Sequence, residues 1–166
     1  MLYEITFILN GEERRLGVQP NETLLDVLRR KLGITSPKVG CERGDCGACT
    51  VKLNGLLVKS CLILAVEVNG QEVTTIEGLM AKGLTPLQEM FMAKNSFQCG
   101  YCAPGMILAA DDLLARNPDP SDHQIKEALA GNLCRCTGYE PIIGAIKAVA
   151  ANNKASAGQT RGGNDE

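Results

Sequence analysis

The sequence contains no tryptophan, one histidine and few aromatic residues, which make up 4% of the chain. The single histidine, His123, lies in the first turn of a predicted surface helix, where a solvated side chain is the ordinary interpretation. Ser/His/Asp sets, convergent carboxylate pairs and nucleotide-binding loops are also missing. We therefore predict no catalytic residue and no substrate chemistry by this chain alone.

Long apolar runs and blocks of like charge are missing as well. No apolar run approaches the roughly 20 residues that span a bilayer, and residues 1–9 carry Glu4 where a signal peptide has a basic flank. The formal net charge is −2 and the two signs are mixed along the chain, so no basic surface for nucleic acid is predicted. We expect a cytoplasmic protein with no nucleic-acid partner and no membrane insertion.

Cysteine, by contrast, is abundant, with eight among 166 residues. In a protein without an export signal, a reducing compartment keeps thiols free, which favours metal binding over disulfides. The cysteines form two groups of four with none left over. We call them set A (Cys41, Cys46, Cys49 and Cys61) and set B (Cys99, Cys102, Cys134 and Cys136).

Two Asn-Gly dipeptides predict β-hairpins in the first half of the chain, at Asn10-Gly11 and Asn54-Gly55. One helix is predicted between the hairpins, with Asn21 as its N-cap and Gly33 just past its end. A further strand is predicted before residue 76. The predicted strands are 3–9, 12–18, 50–53, 56–61 and 72–75.

The second half is predicted to form four helices. Their start signals are Thr85-Pro86, Pro104, the pair Ser121 and Gln124, and Pro141. The short connections predict an antiparallel four-helix bundle. From residue 153 onward the chain is small, polar and Gly-rich, which predicts a disordered tail. The expected domains are therefore 1–76 and 77–152, with a tail at 153–166.

Set A has the spacing Cys-x4-Cys-x2-Cys with a distant fourth cysteine, the plant-type ferredoxin pattern for a [2Fe-2S] cluster. Its loop contains Gly40, Gly44 and Gly47, which give backbone freedom and let amide N–H groups approach the sulfurs. Zinc fits less well, because zinc loops usually pair one Cys-x2-Cys with another. A disulfide framework and a phosphate-binding loop are disfavoured by the compartment and by the missing Gly-Lys-Ser/Thr.

Set B consists of Cys99-x2-Cys102 and Cys134-x-Cys136, each just before a helix opened by proline. Two sulfurs on one metal must lie close together, so the backbone at 134–136 must bend. We predict that each of these pairs holds one iron of a second [2Fe-2S] cluster, with helix N-termini directed at the thiolates. Taken alone, set B also allows a zinc site.

Three stretches of the sequence resemble one known family, the iron–sulfur subunits of molybdenum hydroxylases of the xanthine dehydrogenase, carbon monoxide dehydrogenase and aldehyde oxidoreductase type. The stretches are GCERGDCGACTVK at 40–52, QCGYCAPGMI at 98–107 and GNLCRCTGYEPII at 131–143. Two positions depart from the usual pattern of that family. Asp45 stands where Glu is more usual, and Ala103 where Thr is more usual.

The resemblance implies an α+β chain with a β-grasp, plant-ferredoxin-like domain followed by a four-helix bundle domain. It implies that the set B cluster lies beside the molybdopterin of a large subunit, and that the set A cluster faces the FAD of a medium subunit. The whole would be a dimer of heterotrimers. Gln98 and Cys136 are the positions expected to contact the pterin, with a simple loop hydrogen bond as the alternative for Gln98.

The leading hypothesis is thus an electron-transfer subunit of a molybdenum-containing hydroxylase complex, in the form of the family where this module is a separate chain. A free-standing two-cluster ferredoxin and a zinc-stabilised interaction module are the alternatives. The substrate pocket and the terminal electron acceptor would belong to other chains.

Overall fold

The computed structural model describes residues 1–81 and 83–159, with side chains described as far as residue 155. It is a mixed α+β chain in which strands and one short helix precede a run of helices. The strands are β1 (Tyr3–Leu9), β2 (Glu12–Val18), β3 (Thr50–Leu53), β4 (Leu56–Lys59) and β5 (Glu72–Thr74). The helices are α1 (Leu24–Asp26), α2 (Ile76–Leu79), α3 (Pro86–Ala93), α4 (Ala103–Arg116), α5 (Asp122–Leu129) and α6 (Glu140–Gln159).

The strands form one five-stranded sheet in the order β2-β1-β5-β3-β4. Both predicted hairpins are confirmed, since Asn10 and Gly11, and likewise Asn54 and Gly55, all have positive φ, as the tight turn of type I′ requires. β5 pairs parallel with β1 and antiparallel with β3. The last strand in the sequence is therefore the central strand of the sheet.

Helix α1 packs beneath the sheet and begins differently from the prediction. Its N-cap is Thr23, not Asn21, because the Thr23 hydroxyl accepts a hydrogen bond from the Asp26 amide while the Asp26 carboxylate accepts one from the Thr23 amide. The helix continues as a π-helical turn, Val27–Lys31, in which the Leu32 amide donates to the Val27 carbonyl. Leu24 and Leu28 from this segment are fully buried in the core of the sheet.

The four later helices contact one another in a cycle, α3 with α4, α4 with α5, α5 with α6 and α6 with α3. Reciprocal capping boxes at Thr85 and Ser121 open α3 and α5 as predicted. The helices enclose a second hydrophobic cluster, separate from that of the sheet, whose fully buried members include Phe91, Met106 and Ile146. No helix in the described ranges is long and apolar enough to cross a membrane.

The predicted disordered tail is wrong over 153–159, where α6 continues. Residues 151–155 are exposed, so burial does not hold this part of the helix. Alanine, the residue with the highest helix propensity, recurs through the segment and provides the physical reason. The rest of the predicted tail, 160–166, lies outside the described residues.

Candidate metal centres

The loop that carries the first three cysteines of set A lies between the α1 segment and β3 and curls back on itself. The Lys38 amide donates to the Ala48 carbonyl at 2.8 Å and closes the loop. Glycine is required where the chain passes the sulfurs, because a Cβ at Gly40 would lie 2.6 Å from Cys46 Sγ. The sequence prediction that this loop needs glycine is met at that position by a direct contact with a candidate ligand.

Backbone amides surround the Cys41 sulfur. The Cys46 amide donates to Cys41 Sγ at 3.4 Å. Hydrogen bonds from the Arg43 amide and then the Cys46 amide lower the pKa of the Cys41 thiol to about 6. An environment that stabilises a thiolate is the one that an anionic iron–sulfur cluster also needs.

Cys49 and Cys61 form the buried half of set A. Their sulfur atoms lie 3.4 Å apart. Cys61 sits on a 3₁₀ turn, Ser60–Leu62, rather than at the end of the predicted strand 56–61, because β4 stops at Lys59. The Ser60 hydroxyl donates to the Cys49 carbonyl at 2.7 Å and holds the turn against the loop. Burial raises the pKa of Cys61 to about 11.

Set B pairs its sulfurs differently from the prediction. Cys136 Sγ lies 3.6 Å from Cys99 Sγ, and the Cys102 thiol is hydrogen-bonded to Cys134. The close contacts thus join one cysteine of each segment, whereas the sequence predicted that the two cysteines within each segment share an iron. The reason is burial: Cys99 and Cys136 are both exposed, whereas Cys102 is buried and Cys134 partly so. We call Cys102 with Cys134 the inner pair and Cys99 with Cys136 the outer pair.

The inner pair lies where helix α4 begins. Cys102 is the N-cap residue of that helix, and burial raises the pKa of its thiol to about 12. Burial alone would also raise the pKa of Cys134, but hydrogen bonds from the Thr137 hydroxyl and amide outweigh it and lower that pKa. Each set therefore contains one thiol whose pKa is lowered by hydrogen bonds and one whose pKa is raised by burial.

The bend predicted at 134–136 is present and is closed by Tyr139. The Cys134 amide donates to the Tyr139 hydroxyl at 2.9 Å, and that hydroxyl donates to the Asn132 carbonyl at 3.1 Å. Tyr139 itself has a φ of 69°, in the left-handed region that bulky residues rarely adopt. A strained residue thus fixes the segment that carries Cys134 and Cys136.

A single cavity of about 310 Å³ lies where the two sets meet. It is lined by six of the eight cysteines together with other residues of both loops. Its cysteine lining is Cys41, Cys46, Cys99, Cys102, Cys134 and Cys136. The two sets are thus neighbours in the fold, although they are far apart in the sequence.

Gln98 and Cys136 lie together at the surface. The Gln98 side-chain amide donates to the Cys136 carbonyl at 3.2 Å, and both residues are exposed. This is the loop hydrogen bond that the sequence analysis gave as the alternative role for Gln98. Because both residues are exposed, the hydrogen bond lies at the surface of the chain.

The sequence analysis missed the residues that join the two sets. Asn132 is buried, and its side-chain amide donates to the Gly47 carbonyl at 3.0 Å and to Thr50 Oγ1 at 3.2 Å. Lys59 Nζ donates to Thr50 Oγ1 at 3.0 Å and to the Gly131 carbonyl at 2.8 Å. The one signal in the sequence for a role of Asn132 was its position two residues before Cys134. No spacing rule predicts contacts between residues so far apart in the sequence.

The cysteine arrangement fits paired irons better than single ions. Among the residues that the structure describes, no three His, Cys, Asp or Glu side chains converge to hold one metal ion. A zinc site needs four ligands around one point, whereas each iron of a [2Fe-2S] cluster takes two cysteine sulfurs and two sulfides. The sulfurs lie in pairs, backbone amides donate to one of them, and Gly40 has no room for a side chain. These features are those of a protein of the [2Fe-2S] class.

Comparison with known proteins gives the family. A model described as a 2Fe-2S iron-sulfur cluster binding domain matches residues 7–77, and one described as a [2Fe-2S] binding domain matches residues 75–147. The nicotinate dehydrogenase small FeS subunit of Eubacterium barkeri is 49% identical over 144 residues, covering 86% of this chain and 92% of that protein. The nicotine 6-hydroxylase small subunit of Paenarthrobacter nicotinovorans is 46% identical, covering 86% and 87%.

Among solved structures, quinoline 2-oxidoreductase from Pseudomonas putida 86 contains a chain that is 44% identical to this one. The match covers 93% of this chain and 97% of that chain, with a TM-score of 0.87. The chain belongs to the small iron–sulfur subunits of the molybdenum hydroxylase family.

Proposed function

We propose that this chain relays electrons, through one [2Fe-2S] cluster in set A and one in set B, between molybdopterin on a large subunit and FAD on a medium subunit. The observation that carries the proposal is the arrangement of eight free cysteines as neighbouring pairs, six of them lining one cavity where the two sets meet. The relatives named above support the electron-transfer role. The chain itself acts as the non-catalytic subunit of the oxidoreductase.

The ligands follow from the sulfur contacts. Set A supplies Cys41 with Cys46, whose side chains share a hydrogen bond, to one iron and Cys49 with Cys61, whose sulfurs lie 3.4 Å apart, to the other. Set B supplies an outer pair, Cys99 with Cys136, and an inner pair, Cys102 with Cys134. When bound, each [2Fe-2S] centre accepts and releases one electron at a time.

Exposed residues at each end of the chain of contacts support the proposed orientation between the two partner cofactors. Gln98 and Cys136 are exposed at the set B end, which supports their role as the contacts to molybdopterin. Glu42, Arg43 and Asp45 are exposed at the set A end, which supports a surface facing FAD. Hydroxylation of a substrate by water releases two electrons and two protons, and the electrons, passed singly, reduce FAD to FADH2 with uptake of two protons.

The domain organisation that we propose is a β-grasp domain at 1–76 and a four-helix bundle at 77–152. Two separate hydrophobic clusters and the cycle of contacts among α3, α4, α5 and α6 support it. Partner subunits, assembly as a dimer of heterotrimers and a cytoplasmic location belong to the same proposal.

The test is a chemical analysis of the native protein. We expect visible absorbance that dithionite bleaches, with about four irons and about four sulfides per chain, and co-purification with molybdenum-containing and flavin-containing subunits. A colourless protein that contains zinc instead would contradict the proposal and favour an interaction module. A coloured protein that purifies alone, without molybdenum or flavin, would favour a free carrier.

A further inference from the structure

The two cysteine sets are joined by a buried hydrogen-bond network that crosses from the sheet domain to the helical domain. Gly47, Thr50 and Lys59 contribute from the side of set A, and Gly131 and Asn132 from the side of set B. Asn132 is 3% exposed and Thr50 is 2% exposed, so water does not replace these bonds. We call this group the junction network.

Each donor and acceptor at the centre of the junction network is used. The Thr50 hydroxyl donates to the Gly47 carbonyl at 2.7 Å and accepts hydrogen bonds from both Asn132 and Lys59. One donor and two lone pairs are all that a hydroxyl offers. Both amide hydrogens of Asn132 are likewise used, on Gly47 and Thr50. A saturated buried network has one arrangement, so it holds its parts in one register.

Close backbone approach makes the register strict. A Cβ at Gly47 would lie 2.2 Å from the Gly131 carbonyl oxygen, and a Cβ at Gly105 would lie 2.5 Å from the Gly47 carbonyl oxygen. The loop of set A is therefore in backbone contact with the segment that leads into Cys134. No side chain separates them.

One further hydrogen bond joins a set A ligand residue to the neighbour of a set B ligand residue. The Leu133 amide donates to the Cys46 carbonyl at 2.8 Å. Cys46 is a ligand in set A, and Leu133 is joined by a peptide bond to Cys134, a ligand in set B. Backbone and a single hydrogen bond thus link one cluster site to the other, and Asn132 is the residue immediately before Leu133.

We propose that Asn132 is a positioning residue for electron transfer between the two clusters. Its side chain locks the set A loop to the segment before Cys134 and so keeps the Leu133 N–H on the Cys46 carbonyl. With both clusters bound, this link would hold the two cluster sites at the separation across which an electron passes from the reduced cluster to the oxidised one. The inference rests on the proposed function, because it requires both clusters to be present.

The experiment measures the magnetic interaction between the two reduced clusters in the native complex, by low-temperature electron paramagnetic resonance. Asn132→Asp keeps the side-chain size but removes the amide donor. Asn10→Asp is the matched control. Asn10 lies in the turn between β1 and β2, and its side-chain amide also donates to a threonine hydroxyl, that of Thr75. Iron and sulfide contents are measured on each variant.

We expect wild type and Asn10→Asp to show two cluster signals, each split by the magnetic interaction with the other cluster. Asn132→Asp should keep both signals and full iron content, with the splitting lost and the Leu133 amide exchanging faster with deuterium. Unchanged splitting in Asn132→Asp, or two wild-type signals without splitting, would overturn the inference and leave the proposed function intact. A wild type with fewer than two cluster signals would instead contradict the proposed function.

A second pair of variants decides the matter if Asn132→Asp loses iron. Thr50→Val removes only the hydroxyl at the centre of the junction network, and Thr50→Ser restores it. We expect the splitting to decrease in Thr50→Val and to return in Thr50→Ser. Equal splitting in the two would overturn the inference by the same measurement.

Discussion

Gly47 provides the sharpest test of the contact between the two domains. Its φ is +70°, and an added Cβ would lie 2.2 Å from the Gly131 carbonyl oxygen and 2.7 Å from Asn132 Nδ2. Gly55 is a matched control, because its φ is +80° and a Cβ there would meet nothing within 4 Å. Gly47→Ala and Gly55→Ala therefore share the backbone cost and differ in the steric cost.

The expected magnitudes follow from these contacts. An L-residue in the left-handed region costs about 1 to 2 kcal/mol, which both variants incur. In Gly47→Ala, displacing well-packed atoms adds about 1 to 3 kcal/mol, and a buried donor or acceptor left without its partner adds about 1 to 3 kcal/mol. Since 1 kcal/mol lowers the Tm by roughly 2 to 4 °C for a chain of this size, Gly55→Ala should lower the Tm by several degrees, and Gly47→Ala should lower it by about 4 to 24 °C more.

The assay is thermal unfolding of the iron-loaded protein, followed by circular dichroism and by visible absorbance. Gly47→Ala should also lose cluster absorbance at a lower temperature than wild type, because the displaced loop carries Cys46 and Cys49. Melting of the two variants within about 2 °C of each other would show that the loops do not approach as closely as described, and the steric argument would fail.

Three further predictions concern the cluster sites, the domain contact and the response to acid. Cys46→Ser should remove one spectroscopic cluster signal and keep the other, whereas loss of both from a folded protein would contradict two independent sites. Lys52→Met should lower the free energy of unfolding by about 1 kcal/mol, because the 2.7 Å ion pair with Asp111 joins β3 to α4 with Lys52 only 15% exposed. The hydrogen bond from the Lys31 ammonium lowers the pKa of the Glu22 carboxyl from its ordinary value, so the stabilising effect of the pair is present at neutral pH and is lost as the pH falls through the lowered pKa. Glu22→Gln should therefore lower the Tm at pH 7, and the loss should shrink as acid protonates Glu22; an equal loss at every pH would contradict the assignment.

Local signals in the sequence were enough to predict most elements of the fold. Both Asn-Gly turns, the Thr85-Pro86 helix start and the capping box at Ser121 act over a few residues, and the structure confirms them. The N-cap of α1 is Thr23 and not the predicted Asn21, and its capping box uses Asp26 in place of the usual Glu or Gln. The end of α6 was missed because alanine propensity outweighed the polar composition on which the disorder prediction relied.

The candidate site was predictable in membership but not in pairing. Spacing identified both sets of cysteines, because ligand spacing is a property of each loop. The crossed contacts of set B depend on which cysteines are buried, and that is decided by the packing of α4 against the sheet and its neighbours. The junction network depends on contacts between residues more than 70 positions apart, such as Lys59 with Gly131, which no local pattern encodes.

The placement of β5 has a consequence for biogenesis. Because its neighbours are β1 and β3, the two hairpins meet only through a strand that leaves the ribosome after all four set A cysteines have been made. Such distant pairings form late, since the intervening chain must be ordered first. Insertion of iron at set A is therefore expected to wait until residue 74 is available, and a nascent chain stalled before that point should not retain the metal.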